Sequence, residues 1–156
     1  MATPETLPAK RAISRREVIA TARTWLGVPY RHLGRTRSGV DCAGFILAVA
    51  EDLGIKTHAP SDYSNQPKGT TLLVPAEAQM WRMERTRIIP GDVVVFWAWT
   101  PEEPSHFGII GEGPHGVTTI HSFSKYGKVV EQKWNRFWAD HFVGIYNLPG
   151  TAAEFV

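Results

Sequence analysis

The chain changes character at Pro90-Gly91, and this change constrains its fold more than any other feature. Before it, apolar residues recur at helical spacing. After it come five short runs rich in β-branched and aromatic residues, VVVFWAW, SHFGIIG, VTTIHSF, KVVEQKW and HFVGIYNL. Glycine, proline or charged turns separate most of these runs, as expected between antiparallel strands. Helices followed by strands predict one α+β domain with an antiparallel sheet of about five strands, and 133–141 leaves room for a helical turn.

Helices are predicted before the sheet. Ser14 followed by Glu17 is a capping box, which indicates the start of the first helix. Asp41 precedes the second helix, and the run AGFILAVA within it is apolar on nearly all sides, which places this helix in the core. Gly54 takes the C-cap position of this helix. A third, short helix is predicted over 75–84, where a proline can occupy the first turn.

Composition is that of an ordinary globular domain. The 156 residues are 43% hydrophobic and 21% charged, and they suffice for one domain with its own core. No apolar run approaches the roughly 18–20 residues of a membrane span, and the N-terminus lacks the apolar segment of a secretory signal. We expect a flexible or partner-ordered arm over 1–12, one folded domain over 13–150, a tail over 151–156 and synthesis in the cytoplasm. Turn-forming residues predict a long loop over 56–71.

Charge and spacing exclude several classes of site. Seventeen Lys and Arg against 15 Asp and Glu give a formal charge of +2, and the excess lies mainly in the first 37 residues. This basic region is either a solvated helix face and arm or a surface for an anionic partner.

Arginines and tryptophans rarely neighbour each other, so we expect no nucleic acid partner. The histidines lack zinc-site spacing and no phosphate-binding glycine loop occurs, so we expect no metal and no cofactor.

The single cysteine, Cys42, is the residue that most strongly indicates a function. It lies where the loop GRTRSGVD meets the buried helix, and with Asp41 as N-cap its sulfur falls in the first turn. Backbone N–H groups and the dipole at a helix N-terminus favour a thiolate and lower the thiol pKa. The alternative is a structural cysteine, which would be expected in the middle of a helix. The junction therefore favours a nucleophile.

Two histidines are candidate partners of this cysteine. His106 begins the run SHFGIIG, and His121 lies in the next run, VTTIHSF. The turn GEGPHG between the runs would pair them antiparallel and bring the two rings near each other on one face of the sheet. A nucleophilic cysteine needs a base, and the base needs an orienting group. The alternative is two ordinary strand histidines with hydrogen-bond partners.

Four segments in a fixed order resemble the NlpC/P60 family of papain-like cysteine peptidases, which cleave peptidoglycan stem peptides. The segments WLGVPYRHLG, GVDCAGFI, RIIPGDVVVF and SHFGIIG resemble the family motifs G-x-P-Y, D-C-S-G-[FL], L-x-P-G-D-[LV]-x-F and H-V-G-[IV]-[YV]. The resemblance covers about 13–147. It implies a papain-like fold in which the nucleophile helix packs on the antiparallel sheet.

The resemblance also implies the roles of five residues. Cys42 matches the nucleophile and His106 the base, while His121 matches the polar residue that orients the base. Tyr30 matches the family's active-site tyrosine and would bind the oxyanion together with the Cys42 backbone N–H. Asp41 either recognises a substrate amine or only caps the helix.

The implied reaction is hydrolysis of an amide in a peptidoglycan stem peptide, at the γ-D-glutamyl to diamino-acid bond, through a cysteine thioester. Ala43 replaces the family's common serine and removes any contact that the serine makes to substrate. Without a leader or a wall-binding module, the domain is similar to tail-associated peptidases of phages and gene transfer agents. The expected partners are then tail proteins, and the expected location is a virion-like particle. The alternatives are a tail plug or hub that keeps only the fold, and a cysteine-dependent acyltransferase or amidase.

Overall fold

The computed structural model describes residues 11–58 and 73–156. The predicted arm over 1–12 and the predicted loop over 56–71 lie largely outside these ranges. The described helices are α1 (Arg15–Arg23), α2 (Cys42–Asp52), α3 (Leu73–Glu77) and α4 (Arg136–Asp140). The described strands are β1 (Arg35–Thr36), β2 (Gly39–Val40), β3 (Trp81–Met83), β4 (Val93–Trp97), β5 (Pro104–Gly113), β6 (Gly116–Phe123), β7 (Lys128–Lys133) and β8 (Phe142–Asn147).

The main sheet has six strands in the order β3-β8-β4-β5-β6-β7, and every neighbouring pair is antiparallel. Five of these strands, β4 to β8, are the five predicted runs, and α4 is the predicted helical turn within 133–141. The sheet of about five strands in an α+β fold is thus confirmed, with β3 as an additional edge strand. Strands β1 and β2 form a separate two-stranded hairpin.

The prediction of a helix over 75–84 is wrong in its second half. Helix α3 ends at Glu77, and Trp81–Met83 forms β3. This strand pairs with β8, where Trp81 lies opposite Asn147 and Met83 opposite Ile145. The open edge of β8 offers unpaired N–H and C=O groups, and pairing with them satisfies the backbone of this segment.

Helix α2 positions the cysteine because both of its ends are fixed by their caps. At the N-terminus, the Asp41 side chain accepts a hydrogen bond from the Gly44 N–H at 2.7 Å. At the C-terminus, Gly54 has φ +82°, and the Ile55 N–H bonds the Ala50 carbonyl oxygen, as in a Schellman motif. The capping box of Ser14 and Glu17 on α1 is also confirmed. Within the two described ranges, no helix is both long and apolar enough to cross a bilayer.

The two faces of the sheet bury different clusters. Successive residues of a strand point to opposite faces, so Val93 and Val95 pack with α1 and α2, while Val94 and Phe96 pack with Trp138 of α4. The α2 face forms the larger core and includes Phe45, Val49, Phe107, Ile109, Ile120 and Val129. The helix that begins at Cys42 therefore packs on the antiparallel sheet, as predicted for the papain-like fold.

A buried charge network ties α1 to the sheet. Arg15 and Asp92 are almost fully buried, and the Arg15 Nη1 lies 2.8 Å from the Asp92 Oδ1. Arg85 contacts both carboxylate oxygens of Asp92, and the Asn147 side-chain amide donates a further hydrogen bond. Asp92 also accepts a hydrogen bond from the Ile89 N–H, which makes it a turn residue as well. The network fixes the start of β4, the strand next to β5.

Candidate active site

Cys42 is the first residue of α2, and its sulfur lies against the start of β5. The Cys42 Sγ donates a hydrogen bond to the Ser105 carbonyl oxygen at 3.7 Å. The backbone N–H groups of Phe107, of Ala43 and of Cys42 itself act on the same sulfur. Ser105 and Phe107 flank His106, so the sulfur at the helix N-terminus lies against the β5 backbone on both sides of the candidate base.

The Cys42 thiol is neutral in this environment at neutral pH. Removal of the sulfur from water and the neighbouring Asp41 carboxylate raise the pKa of Cys42 to about 12. The three N–H groups lower this pKa, but they do not offset the burial. The expected net lowering of the thiol pKa is therefore wrong, because burial of the sulfur, assisted by the Asp41 carboxylate, outweighs the N–H groups.

His106 and His121 are brought into direct contact. The His106 Nε2 lies 2.6 Å from the His121 Nδ1, and the two rings meet edge to face. A side chain at Gly108, between the strands, would place its Cβ 2.6 Å from the Thr119 Cγ2. Glycine at this position therefore lets β5 and β6 approach closely beside the rings. The predicted proximity of the two histidines is confirmed.

The two rings are buried in an aromatic cage. Trp138 stacks on His106 and meets His121 edge-on, and Phe96 and Phe123 complete the enclosure. Burial and the neighbouring His121 lower the pKa of His106 well below its usual value. Burial also lowers the pKa of His121 to about 4, against a smaller opposing effect of Gln132. Both imidazoles are neutral at neutral pH, as is the thiol.

Gln132 also belongs to this site, although its local sequence does not indicate it. The His121 Nε2 lies 2.6 Å from the Gln132 Oε1. In the β6–β7 register, Gln132 lies opposite Thr119 and His121 lies opposite Val130, so the glutamine and His121 are diagonal neighbours. Diagonal neighbours on one face are within reach of long side chains, and the register is the signal that identifies the contact.

Tyr30 and Asp41 also lie near Cys42. Tyr30 forms a parallel bridge with Val40, two residues before Cys42. Burial, with Cys42 and Asp41 nearby, raises the pKa of Tyr30 to about 12, so its hydroxyl keeps its proton. The Asp41 carboxylate is buried and accepts the Leu33 N–H in addition to its capping bond. The capping role of Asp41 is observed, and recognition of a substrate amine stays a prediction.

An apolar pocket lies along α2. Ala43, Ile46, Met80, Phe107 and Leu148 are among the residues that line it. Ala43, which takes the place of the common serine, thus contributes to an apolar surface. Among the residues that the structure describes, no three His, Cys, Asp or Glu side chains are grouped so as to hold a metal ion.

Alkylation of Cys42 provides a test of the raised thiol pKa. The thiolate fraction grows about tenfold per pH unit below the pKa, so the rate with iodoacetamide should rise without a plateau from about pH 6 to pH 9. Mass spectrometry of the protein at each pH measures the rate. The control is the denaturant-unfolded chain, whose rate should level off above its ordinary thiol pKa of about 8.5. A plateau below about pH 7 in the folded protein would instead reveal a preformed thiolate–imidazolium pair.

Comparisons with known proteins agree with this fold. The NlpC/P60 family profile matches residues 27–147, which is most of the chain and includes Tyr30, Cys42, His106 and His121. The Escherichia coli (strain K12) protein named "Probable endopeptidase NlpC" is 27% identical over 120 residues, which are 77% of this chain and 69% of that protein.

Solved structures of NlpC/P60 proteins are similar as well, and two of them serve as examples. An NlpC/P60 family protein from Bacillus cereus has a TM-score of 0.62 and 20% identity, over 86% of this chain and only 40% of that chain. The NlpC/P60 domain of the peptidoglycan hydrolase SagA has a TM-score of 0.59 and 21% identity, over 86% of this chain and 98% of that chain. At these identities the likeness concerns the fold, while the family profile covers most of the sequence. This chain belongs to the NlpC/P60 family.

Proposed function

We propose that this protein is a cysteine-dependent peptidoglycan hydrolase that cleaves an amide bond of stem peptides. The observation that carries the proposal is the contact of the Cys42 sulfur with the backbone on both sides of His106, whose ring is hydrogen-bonded to His121. The names of two relatives support the substrate class, because one is called an endopeptidase and the other a peptidoglycan hydrolase.

The first half-reaction starts from neutral groups. His121 engages Nε2 of His106, so Nδ1 is the ring nitrogen that remains for the thiol proton. As this proton moves to Nδ1, the sulfur attacks the substrate carbonyl carbon and the C=O π electrons move to oxygen. The backbone N–H of Cys42 and the protonated Tyr30 hydroxyl are the donors proposed for the oxyanion.

Loss of the amine completes the first half-reaction. His106 gives the proton to the leaving amine as the C–N bond breaks, which leaves a thioester on Cys42. In the second half-reaction, water attacks the thioester carbonyl and transfers a proton to His106. The carboxylic acid product leaves when the C–S bond breaks, and the sulfur regains its proton from the imidazolium. No other acid or base is required.

The scissile bond that we propose joins γ-D-glutamate to the diamino acid. Asp41 supports this assignment because its carboxylate lies beside the nucleophile and would attract a substrate amine. The alternative of an acyltransferase or amidase shares the first half-reaction and differs in the acceptor or in the bond. Assembly into a phage-tail or gene-transfer-agent particle also remains a proposal, with the basic N-terminal region as its docking surface.

Mass spectrometry of purified stem peptides tests the function directly. Wild-type protein is expected to release a fragment whose mass identifies the γ-D-glutamyl bond, and the Cys42→Ala protein controls for contaminating hydrolases. An added amine acceptor separates the rivals, since a transferase would yield the amide adduct and a hydrolase the free acid. If no stem-peptide amide is cleaved while Cys42 remains accessible to alkylation, the hydrolase proposal fails and the plug or hub is favoured.

A further inference from the structure

We propose that Gln132 fixes the tautomers of His121 and His106 and thereby makes Nδ1 of His106 the basic atom of the site. The inference rests on the proposed function, because it assigns His106 as the base. Gln132 is a positioning residue, since it reaches His121 and acts on the nucleophile only through the two rings.

The contacts form a chain of three side chains. The His106 Nε2 and the His121 Nδ1 are 2.6 Å apart, and the His121 Nε2 and the Gln132 Oε1 are also 2.6 Å apart. A neutral imidazole has one N–H donor and one bare acceptor nitrogen. Each short contact needs one donor and one acceptor, so the position of the proton in one contact determines its position in the next.

The orientation of the amide therefore selects one of two proton patterns. When the Gln132 oxygen faces His121, the His121 Nε2 carries hydrogen and its Nδ1 accepts. His106 then donates from Nε2 and leaves Nδ1 bare, so that Nδ1 can accept the thiol proton. If the amide nitrogen faced His121, every proton in the chain would shift, and the His106 Nδ1 would carry a hydrogen and no lone pair.

The reaction itself favours the first pattern. Once His106 has taken the thiol proton, both of its nitrogens are donors. The His106 Nε2 then donates to the His121 Nδ1, which must therefore be the bare acceptor nitrogen of that ring. The hydrogen of His121 is then on its Nε2 and needs an acceptor oxygen next to it. The Gln132 oxygen supplies that acceptor without a charge. A neutral acceptor suits this site, because a carboxylate would favour charged imidazoles and change the pH range of the base.

Uncharged aromatic side chains, Phe96, Phe123 and Trp138, pack on the two histidine rings. The adjacent Glu131 on β7 is bound by Arg23 and Thr118. Glu131→Gln is therefore a matched control, because it exchanges a carboxylate for an amide on the same strand at a side chain whose partners are Arg23 and Thr118.

The test combines NMR of the histidine ring nitrogens with kinetics of the full-length protein. In the wild type we expect both rings to carry hydrogen on Nε2. Gln132→Met removes the acceptor, so the tautomers should become mixed and kcat should fall at least about tenfold with little change in KM. Gln132→Glu restores the acceptor and should recover Nε2–H on both rings, with the acidic limb of the pH–rate profile moved upward.

Two results would overturn the assignment. One is hydrogen on Nδ1 of His106 in the wild type, and the other is an unchanged tautomer and kcat in Gln132→Met. The wild-type spectrum is decisive even if a variant folds poorly. If the spectra follow the expected pattern but no stem peptide is cleaved, the tautomer assignment stands and the proposed function fails, so the two failures are distinguishable.

Discussion

The Cys42→Ala variant is expected to cleave stem peptides with kcat at least about 10⁴-fold below the wild type. Cys42 is the single cysteine of the chain, so no second thiol can form the thioester. Alanine leaves His106, His121 and Tyr30 in place, but their contribution to catalysis depends on a nucleophile at the helix N-terminus. The measurement is the initial rate of fragment release, followed by chromatography and mass spectrometry.

The same variant should fold normally, which separates loss of chemistry from loss of structure. The cap of α2 depends on the Asp41 carboxylate and the Gly44 N–H, and neither involves the sulfur. Circular dichroism and the thermal midpoint should therefore stay close to those of the wild type. If the variant keeps more than about one hundredth of the wild-type rate, covalent catalysis by Cys42 is excluded.

Local patterns predict much of this fold because the strands and α2 have strong periodicity. The five runs after Gly91 appear as β4 to β8, and AGFILAVA lies within a helix that is buried on most sides. Strand β3 could not be predicted in the same way, since its pairing depends on the open edge of β8 rather than on its own residues. Edge pairing is a tertiary effect that overrides local propensity.

The candidate site also contains residues that the local sequence predicts and one that depends on tertiary contacts. Cys42 at a helix start and His106 and His121 on neighbouring strands follow from motifs and turn placement. Gln132 does not, because its contact with His121 depends on the diagonal register of β6 and β7. The pKa of Cys42 is raised, whereas the helix N-terminus alone predicts that it is lowered. The helix N-terminus can be predicted from the sequence, but the burial of the sulfur depends on β5 packing against α2.

The second large effect that we expect is a loss of folding stability when the buried charge network around Asp92 is changed. The Asp92→Asn variant should lose about 3–5 kcal/mol of unfolding free energy at neutral pH, because it leaves the buried Arg15 guanidinium without its counter-charge. For a chain of this length, such a loss lowers the thermal midpoint by about 10 °C. Urea unfolding at neutral pH measures the difference directly.

An exposed pair supplies the control. Arg136 and Asp140 lie 3.5 Å apart at i, i+4 spacing, and both are solvent-exposed. Asp140→Asn should change stability by no more than about 0.5 kcal/mol, since exposed pairs contribute little. A loss below about 1 kcal/mol in Asp92→Asn would mean that the buried pair gives no net stability over an amide at this position.

The stabilisation by the Asp92 carboxylate should depend on pH, because the pKa of this group is lowered in the folded protein. Burial alone would raise the pKa of Asp92, but hydrogen bonds from Arg85, the Ile89 N–H, Asn147 and Arg15 hold it below its ordinary value. A group with a lowered folded pKa stabilises the protein above its unfolded pKa, near 3.9 for aspartate, and this contribution is lost as the pH falls through the folded value. The difference in unfolding free energy between wild type and Asp92→Asn should therefore stay constant from neutral pH to about pH 5 and narrow below the unfolded pKa near 3.9. A difference that stays constant down to about pH 3 would assign the loss to packing rather than to charge.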